Sequence, residues 1–253
     1  MKKVFLLLVF FTLFSCSNDD NNPDKLLRSI VEVSDNGAST ITFFTYVGNK
    51  IVSIDEADKS TTFTYTDNLI TGAIILDKTT QHQSTLQYIY DNDQLVQVIS
   101  SENYVINYAH NSDGTVSYEK VQNNEIRLVH GVLHFKKDNL TKDERTLYDP
   151  DPNVQITESV SFEYDAKRNP MHNVLGFDKL LDYHKYTSPN NSKSSFETST
   201  VRFLEQDEVI SSAHMFPSTY KYDSDGYPTE VNSEKPFLGS VNPNHAKTLF
   251  YYN

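Results

Sequence analysis

The sequence predicts an all-β protein, a long antiparallel meander curling into a barrel or a strongly curved sheet. Three observations carry this: apolar, mostly aromatic residues recur in pairs one position apart, polar turn sequences follow them, and the residue inside each pair is mostly polar. The pairs are Phe44/Tyr46, Phe63/Tyr65, Tyr88/Tyr90, Ile106/Tyr108, Leu133/Phe135, Phe162/Tyr164, Val201/Phe203, Tyr220/Tyr222 and Phe250/Tyr252. Their second members lie 18 to 39 residues apart. Two strands of about 6 to 8 residues and a turn need that much chain. Each unit therefore reads as a β-hairpin, about nine in all, and the uneven intervals argue against a strict solenoid.

The turns support the hairpins independently. Asn111-Ser112-Asp113-Gly114 and Asp223-Ser224-Asp225-Gly226 end in Asp-Gly, which supplies the positive φ of a tight hairpin turn. Val47-Gly48-Asn49, Asp67-Asn68 and Asp91-Asn92-Asp93 occupy the same place in their units. Within each strand the period of two puts both members of a pair on one face and Thr45, Thr64, Ile89, Asn107, His134, Glu163, Arg202, Lys221 or Tyr251 on the other. A transmembrane barrel turns its apolar band outward. Here the aromatic face is expected to line a protein core, with the polar face in water.

Two stretches break the pattern. Residues 169–186 lack alternation, and Leu180, Leu181 and His184 sit at helical spacing, so one short helix is expected near 178–186, followed by a polar loop over 188–195. Residues 235–246 carry Pro236 and Pro243 and read as a loop before a closing strand, Thr248 to Tyr252.

The amino terminus reads as an address. Lys2 and Lys3 precede an apolar run, Val4 to Phe14, too short for a spanning helix, so residues 1–15 are expected to be a signal peptide. Removing them takes two lysines and no acid, leaving 20 basic residues against 34 acidic ones, a charge of −14. Such a surface disfavours nucleic acid and anionic headgroups as partners. With one cysteine no intrachain disulfide can form, although export implies an oxidising compartment.

That cysteine lies in Leu13-Phe14-Ser15-Cys16, which resembles a bacterial lipobox. The resemblance implies that Cys16 is lipidated, becomes the mature amino terminus and holds the protein on a membrane, firmly if several acyl chains are attached. Ser17-Asn18-Asp19-Asp20 resembles the acidic export tag of surface lipoproteins of Bacteroidota-type bacteria; a plain polar tether, residues 16–25, is the other reading. A single hairpin-repeat domain would then occupy 26–253. Its units, such as Tyr164-Asp165-Ala166-Lys167-Arg168-Asn169-Pro170 and Tyr220-Lys221-Tyr222-Asp223-Ser224-Asp225-Gly226-Tyr227-Pro228, look like those of uncharacterised Bacteroidota lipoproteins with a porin-like or YD-repeat-like β-meander. The turns after Phe135 and Phe203 depart from the Tyr-Asp-x-x-Gly form. The resemblance implies an outer-membrane lipoprotein, exposed at the cell surface.

Catalytic signatures are missing. There is no G-x-S-x-G elbow, and Cys16 is consumed by lipid. His130 and His134 share a strand face but lack further zinc ligands. Asp223/Asp225 and Asp149/Asp151 cluster hard oxygens suited to calcium, yet neither continues to a distal bidentate Glu, so turns explain them. No cofactor is expected. Tyr118, Tyr148, Tyr183, Tyr186 and Tyr227 lie outside the pairs and are the tyrosines that exposure would make available to a ligand. The expectation is a non-catalytic binding or structural module, with a glycan-binding accessory protein of a nutrient-uptake system, or a secreted hydrolase, as alternatives.

Overall fold

The computed structural model describes residues 25–123, 125–237 and 245–253. Signal segment, Cys16 and the acidic stretch lie outside them. The meander forms as expected, as one antiparallel sheet of seventeen strands that nearly closes into a barrel. In chain order they are β1 (Leu27–Ser34), β2 (Ser39–Val47), β3 (Lys50–Asp55), β4 (Lys59–Thr66), β5 (Leu69–Asp77), β6 (Gln83–Asp91), β7 (Gln94–Ser100), β8 (Tyr104–His110) and β9 (Val116–Gln122). There follow β10 (Ile126–Lys136), β11 (Asn139–Tyr148), β12 (Val154–Arg168), β13 (Asn190–Phe203), β14 (Glu208–Pro217), β15 (Thr219–Tyr222), β16 (Pro228–Asn232) and β17 (His245–Tyr252).

The registered ladder runs from β15 through β16 and β17 to β1, then through β2 and its successors to β14. First and last strands are therefore sewn together, Ile30 facing Phe250. The ends of the ladder, β14 and β15, are consecutive in the chain with only Ser218 between them. They behave as one long stave that changes partner: β14 pairs with β13 and β15 with β16. Pro217 marks the change, and the Ser218 amide donates to the Lys193 carbonyl at 2.7 Å. A proline is tolerated there because it stands on an edge.

The aromatic pairs explain one end of the barrel. Except for Val201/Phe203, which occupies the far half of β13, they stand near that end, before turns, before the segment that follows β12, or at the end of β17. Four close with two-residue hairpin turns, as in Asp91 facing Gln94 and Lys136 facing Asn139. In those two turns both central residues have positive φ, 49° and 62° at Asn92 and Asp93 and 51° and 61° at Lys137 and Asp138, the conformation that matches strand twist. A β-bulge precedes the second aromatic at Tyr46, Tyr65, Tyr90, Phe135, Tyr164 and Tyr222. The extra residue lies on the facing strand and increases the local twist, and the hydroxyls of Tyr46, Tyr90 and Tyr164, like that of Tyr252, reach back about one hairpin to a main-chain carbonyl. Tyr46 donates to Leu27 at 2.9 Å, Tyr90 to Ile70 at 2.8 Å, Tyr164 to Leu140 at 2.7 Å and Tyr252 to Pro228 at 2.9 Å.

Faces divide as the alternation predicts. Phe44, Phe63, Tyr88, Tyr108, Leu133 and Phe250 are buried in the interior, while Thr45, Thr64, Asn107, Glu163, Arg202, Lys221 and Tyr251 are exposed outside.

The segment between β12 and β13 corrects the sequence reading. Instead of one short helix near 178–186 there are two 3₁₀ stretches, Phe177–Lys179 and Leu181–Tyr186. Hydrogen bonds from residue i to i−3 recur from His172 to Tyr183. Three residues per turn place every third side chain on one line, and Met171, Val174, Phe177 and Leu180 are buried, with Tyr183 and Tyr186 packed against the core they join. This stripe enters the barrel from the tight-turn end as a plug. The Leu175 amide donates to Asn49 at 3.0 Å, its carbonyl accepts from the Tyr65 hydroxyl at 2.9 Å, and Asn173 donates to the Lys25 carbonyl at 3.0 Å. Gly176, at φ 71°, lies against the backbone of the β4–β5 turn, where an added Cβ would stand 2.5 Å from the Asn68 carbonyl oxygen. The polar loop expected over 188–195 is largely the start of β13. It reads as a loop because its polar side chains point into a polar lumen.

Candidate functional site

Above the plug, the interior face of β11–β13 continues into a cavity of about 510 Å³. Tyr183, Tyr186 and Asp182 of the plug line it together with Asn191, Ser192 and Ser195 of β13, Phe216 of β14, Tyr220 of β15 and Ser233, Lys235 and Phe237 beyond β16. Tyr186 packs edge-on to Phe237 with ring centres 4.9 Å apart, and Phe237 packs edge-on to Phe250 at 5.2 Å. These contacts tie the plug to the loop leaving β16.

Charges in the wall are paired. Asp143, almost fully buried, accepts from the Tyr118 hydroxyl at 2.8 Å and from Arg145 at 3.2 Å, and Arg145 also grips Glu158 at 2.7 Å. Lys59 stands 3.0 Å from Glu56, whose carboxyl burial pushes above its ordinary range against the pull of that lysine. Lys235 pairs with Glu197 and lies 4.0 Å from the centre of the Phe216 ring.

Asp182 is different. Its Oδ2 accepts from the Tyr88 hydroxyl at 3.1 Å, while Oδ1 is buried without a hydrogen-bond partner. Burial pushes the carboxyl up to about 6, its own main-chain amide and the Tyr88 hydroxyl pulling the other way. Withdrawing a carboxylate from water is costly unless its lone pairs are met.

Of the five tyrosines picked from the sequence, Tyr183 and Tyr186 line the cavity. Tyr118 is half-buried over Gly131, its strand partner. Tyr148 lies exposed on the outer face, against the His130 ring and within 3.1 Å of Arg127. Tyr227 is 1% exposed and its hydroxyl accepts from Asn173 at 2.8 Å, so it belongs to the core. Asp223 and Asp225 both pair with the Lys25 ammonium, at 2.7 and 2.8 Å. Asp149 and Asp151 cap the amides two residues on, those of Asp151 and Asn153. Among the described residues no three His, Cys, Asp or Glu side chains gather as a metal site. His134 meets Glu144 at 3.0 Å on the outer face. The sequence reading missed Asp182, Asp143, Arg145, Phe216 and Lys235. Only a search for a period of three through residues 171–186 points to the plug.

Fold and site together define a plugged, nearly closed antiparallel β-barrel with a cavity beyond the plug. It is similar in fold to a porin-like protein from Bacteroides uniformis ATCC 8492, known from its crystal structure, with a TM-score of 0.52 and 11% identity over 89% of this chain and 96% of that one. No family profile matches the chain, and no curated protein matches it in sequence.

Proposed function

We propose that this protein is a lipid-anchored, non-catalytic binding or structural module of the outer membrane, whose barrel holds a small polar ligand in the cavity above its plug. The observation that carries this is the cavity itself: ringed by aromatic and hydroxyl side chains, of a size typical of small-ligand sites. The lipobox-like Leu13-Phe14-Ser15-Cys16 supplies the anchor. Exposed Glu163, Arg202 and Lys221 on the outer face argue that the barrel stands beside the bilayer, since charge facing lipid is costly. Lys25, bound to the Asp223–Gly226 turn region, fixes the entering chain at the tight-turn end. Eight residues lie between it and Cys16, a reach of about 30 Å at most. The plugged end would then face the membrane and the cavity mouth would point away.

Two measurements test the reading. Cys16→Ser should abolish incorporation of labelled fatty acid and release the protein from the membrane fraction; retention of both would sink the anchor. Native mass spectrometry of the full chain against a library of small polar metabolites should give adducts that disappear when Val160, a cavity-lining residue of β12, is enlarged in Val160→Trp to fill the space. Adducts indifferent to that change would place binding elsewhere.

A further inference from the structure

We infer that the cavity takes a small ligand bearing a primary ammonium group, which Asp182 receives at the floor among the rings of Tyr183 and Tyr186. The inference rests on the cavity's being a binding site. It adds the class of ligand.

The argument is one of unmatched partners. The wall carries three cations, and each already has an acid: Lys59 has Glu56, Arg145 has Asp143 and Glu158, and Lys235 has Glu197. An anionic ligand would have to break one of these pairs. On the acidic side, Glu56, Asp143 and Glu197 are matched by the same contacts, and Asp182 is the remaining cavity carboxylate. It makes no ion pair among the described residues, and its Oδ1 is shut off from solvent without a donor. What the site lacks is therefore one positive charge and at least one donor hydrogen, both of which an ammonium brings.

The surroundings suit that group. Tyr88 already occupies the other oxygen with its single hydroxyl hydrogen; Oδ1, covered by protein atoms, meets the ligand when the Asp182 side chain turns towards the cavity that it lines. The Tyr183 ring packs 5.3 Å from that of Phe177 and 6.3 Å from that of Phe63, so the floor is a rigid aromatic bed, and ring faces attract cations. Lys235 over Phe216 is an instance within the same cavity. A neutral sugar could donate a hydroxyl to Oδ1 but would leave the charge uncompensated. An apolar or aromatic substituent on the amine would find Phe216, Phe237 and Tyr220 higher in the cavity.

The test is calorimetric titration of the full chain, in detergent at pH 7.5, with benzylammonium, n-butylammonium, benzyl alcohol and methyl glucoside. Benzylammonium should bind at least tenfold more tightly than benzyl alcohol. Asp182→Asn should erase that preference while leaving the alcohol's weak binding in place, and Val160→Trp should abolish both. Near-UV circular dichroism establishes that the variants keep their packing; Asp182→Ser serves as a second replacement if the amide does not. If the alcohol or the glucoside binds as well as the amine, or Asp182→Asn leaves the preference intact, the ammonium assignment is overturned and the cavity reading stands. If all four probes fail, the assignment is overturned too. The cavity reading itself falls only if the metabolite library also gives no adduct sensitive to Val160→Trp.

Discussion

Tyr46, Tyr90, Tyr164 and Tyr252 do one job at four places, each sending its hydroxyl back to a carbonyl of the neighbouring hairpin. Removing such a hydroxyl leaves a carbonyl short of its donor, so Tyr90→Phe should cost about 1–2 kcal/mol. Tyr251→Phe, on the exposed face, should cost close to nothing. Urea denaturation midpoints compare the two. The alternation of aromatic residues was legible in the sequence; the reach of the hydroxyl was not, because it depends on a bulge that local composition does not encode. Asp182 makes a pH prediction. Its carboxyl is raised in the fold from 3.8 to about 6, so between those values the native state holds a proton that the unfolded chain has released, and stability falls as pH rises through the window. The loss is on the order of 3 kcal/mol, complete above pH 6. Burial holds the hydroxyls of the neighbouring Tyr88, Tyr108 and Tyr183 above their ordinary range, so these stay neutral throughout. Asp182→Asn should therefore melt higher than the parent at pH 7.5, with the difference shrinking towards pH 4. A constant difference would contradict the burial of this group.

At the scale of the element, turns and plug behave differently. The turn Asn92-Asp93 holds a non-glycine residue at φ 62°. Asp93→Gly should relieve that, and the gain, about 0.5 kcal/mol after the entropy glycine restores to the unfolded chain, is readable in a thermal melt. Gly176 is the opposite case, since an alanine there meets both a left-handed φ and the Asn68 carbonyl. Gly176→Ala should cost about 2 kcal/mol or more, by strain and by contact. Hydrogen exchange should show it first in the amides from His172 to Tyr183, before the barrel strands. Hairpin turns were readable because Asp, Asn and Gly announce their φ. Periodicity could not read the plug, because a period of three fits neither strand nor α-helix, and its buried residues belong to a core supplied by the strands around it.

The whole molecule was half legible. An aromatic inner face and a polar outer face follow from alternation alone, and with them the curved sheet. The β14–β15 stave did not follow, for Val201/Phe203 imitates a repeat unit while lying towards the opposite end of β13 from the others. The start of β1 and the end of β17, by contrast, are held together: the Asn253 amide donates to the Leu26 carbonyl at 3.0 Å. A permuted chain that links Asn253 to Lys25 and begins within Leu204–Asp207 should therefore fold, with a denaturation midpoint near the parent's. One that begins at Ser218 should not match it. The reason lies in that stave. The barrel has a break in its covalent chain, between β17 and β1, and a break in its hydrogen-bonded ladder, between β14 and β15, and each is bridged by the other kind of bond. A protease that cut at Ser218 would add a covalent break where the ladder is already broken, and a closed hoop would become a ribbon with two loose edges.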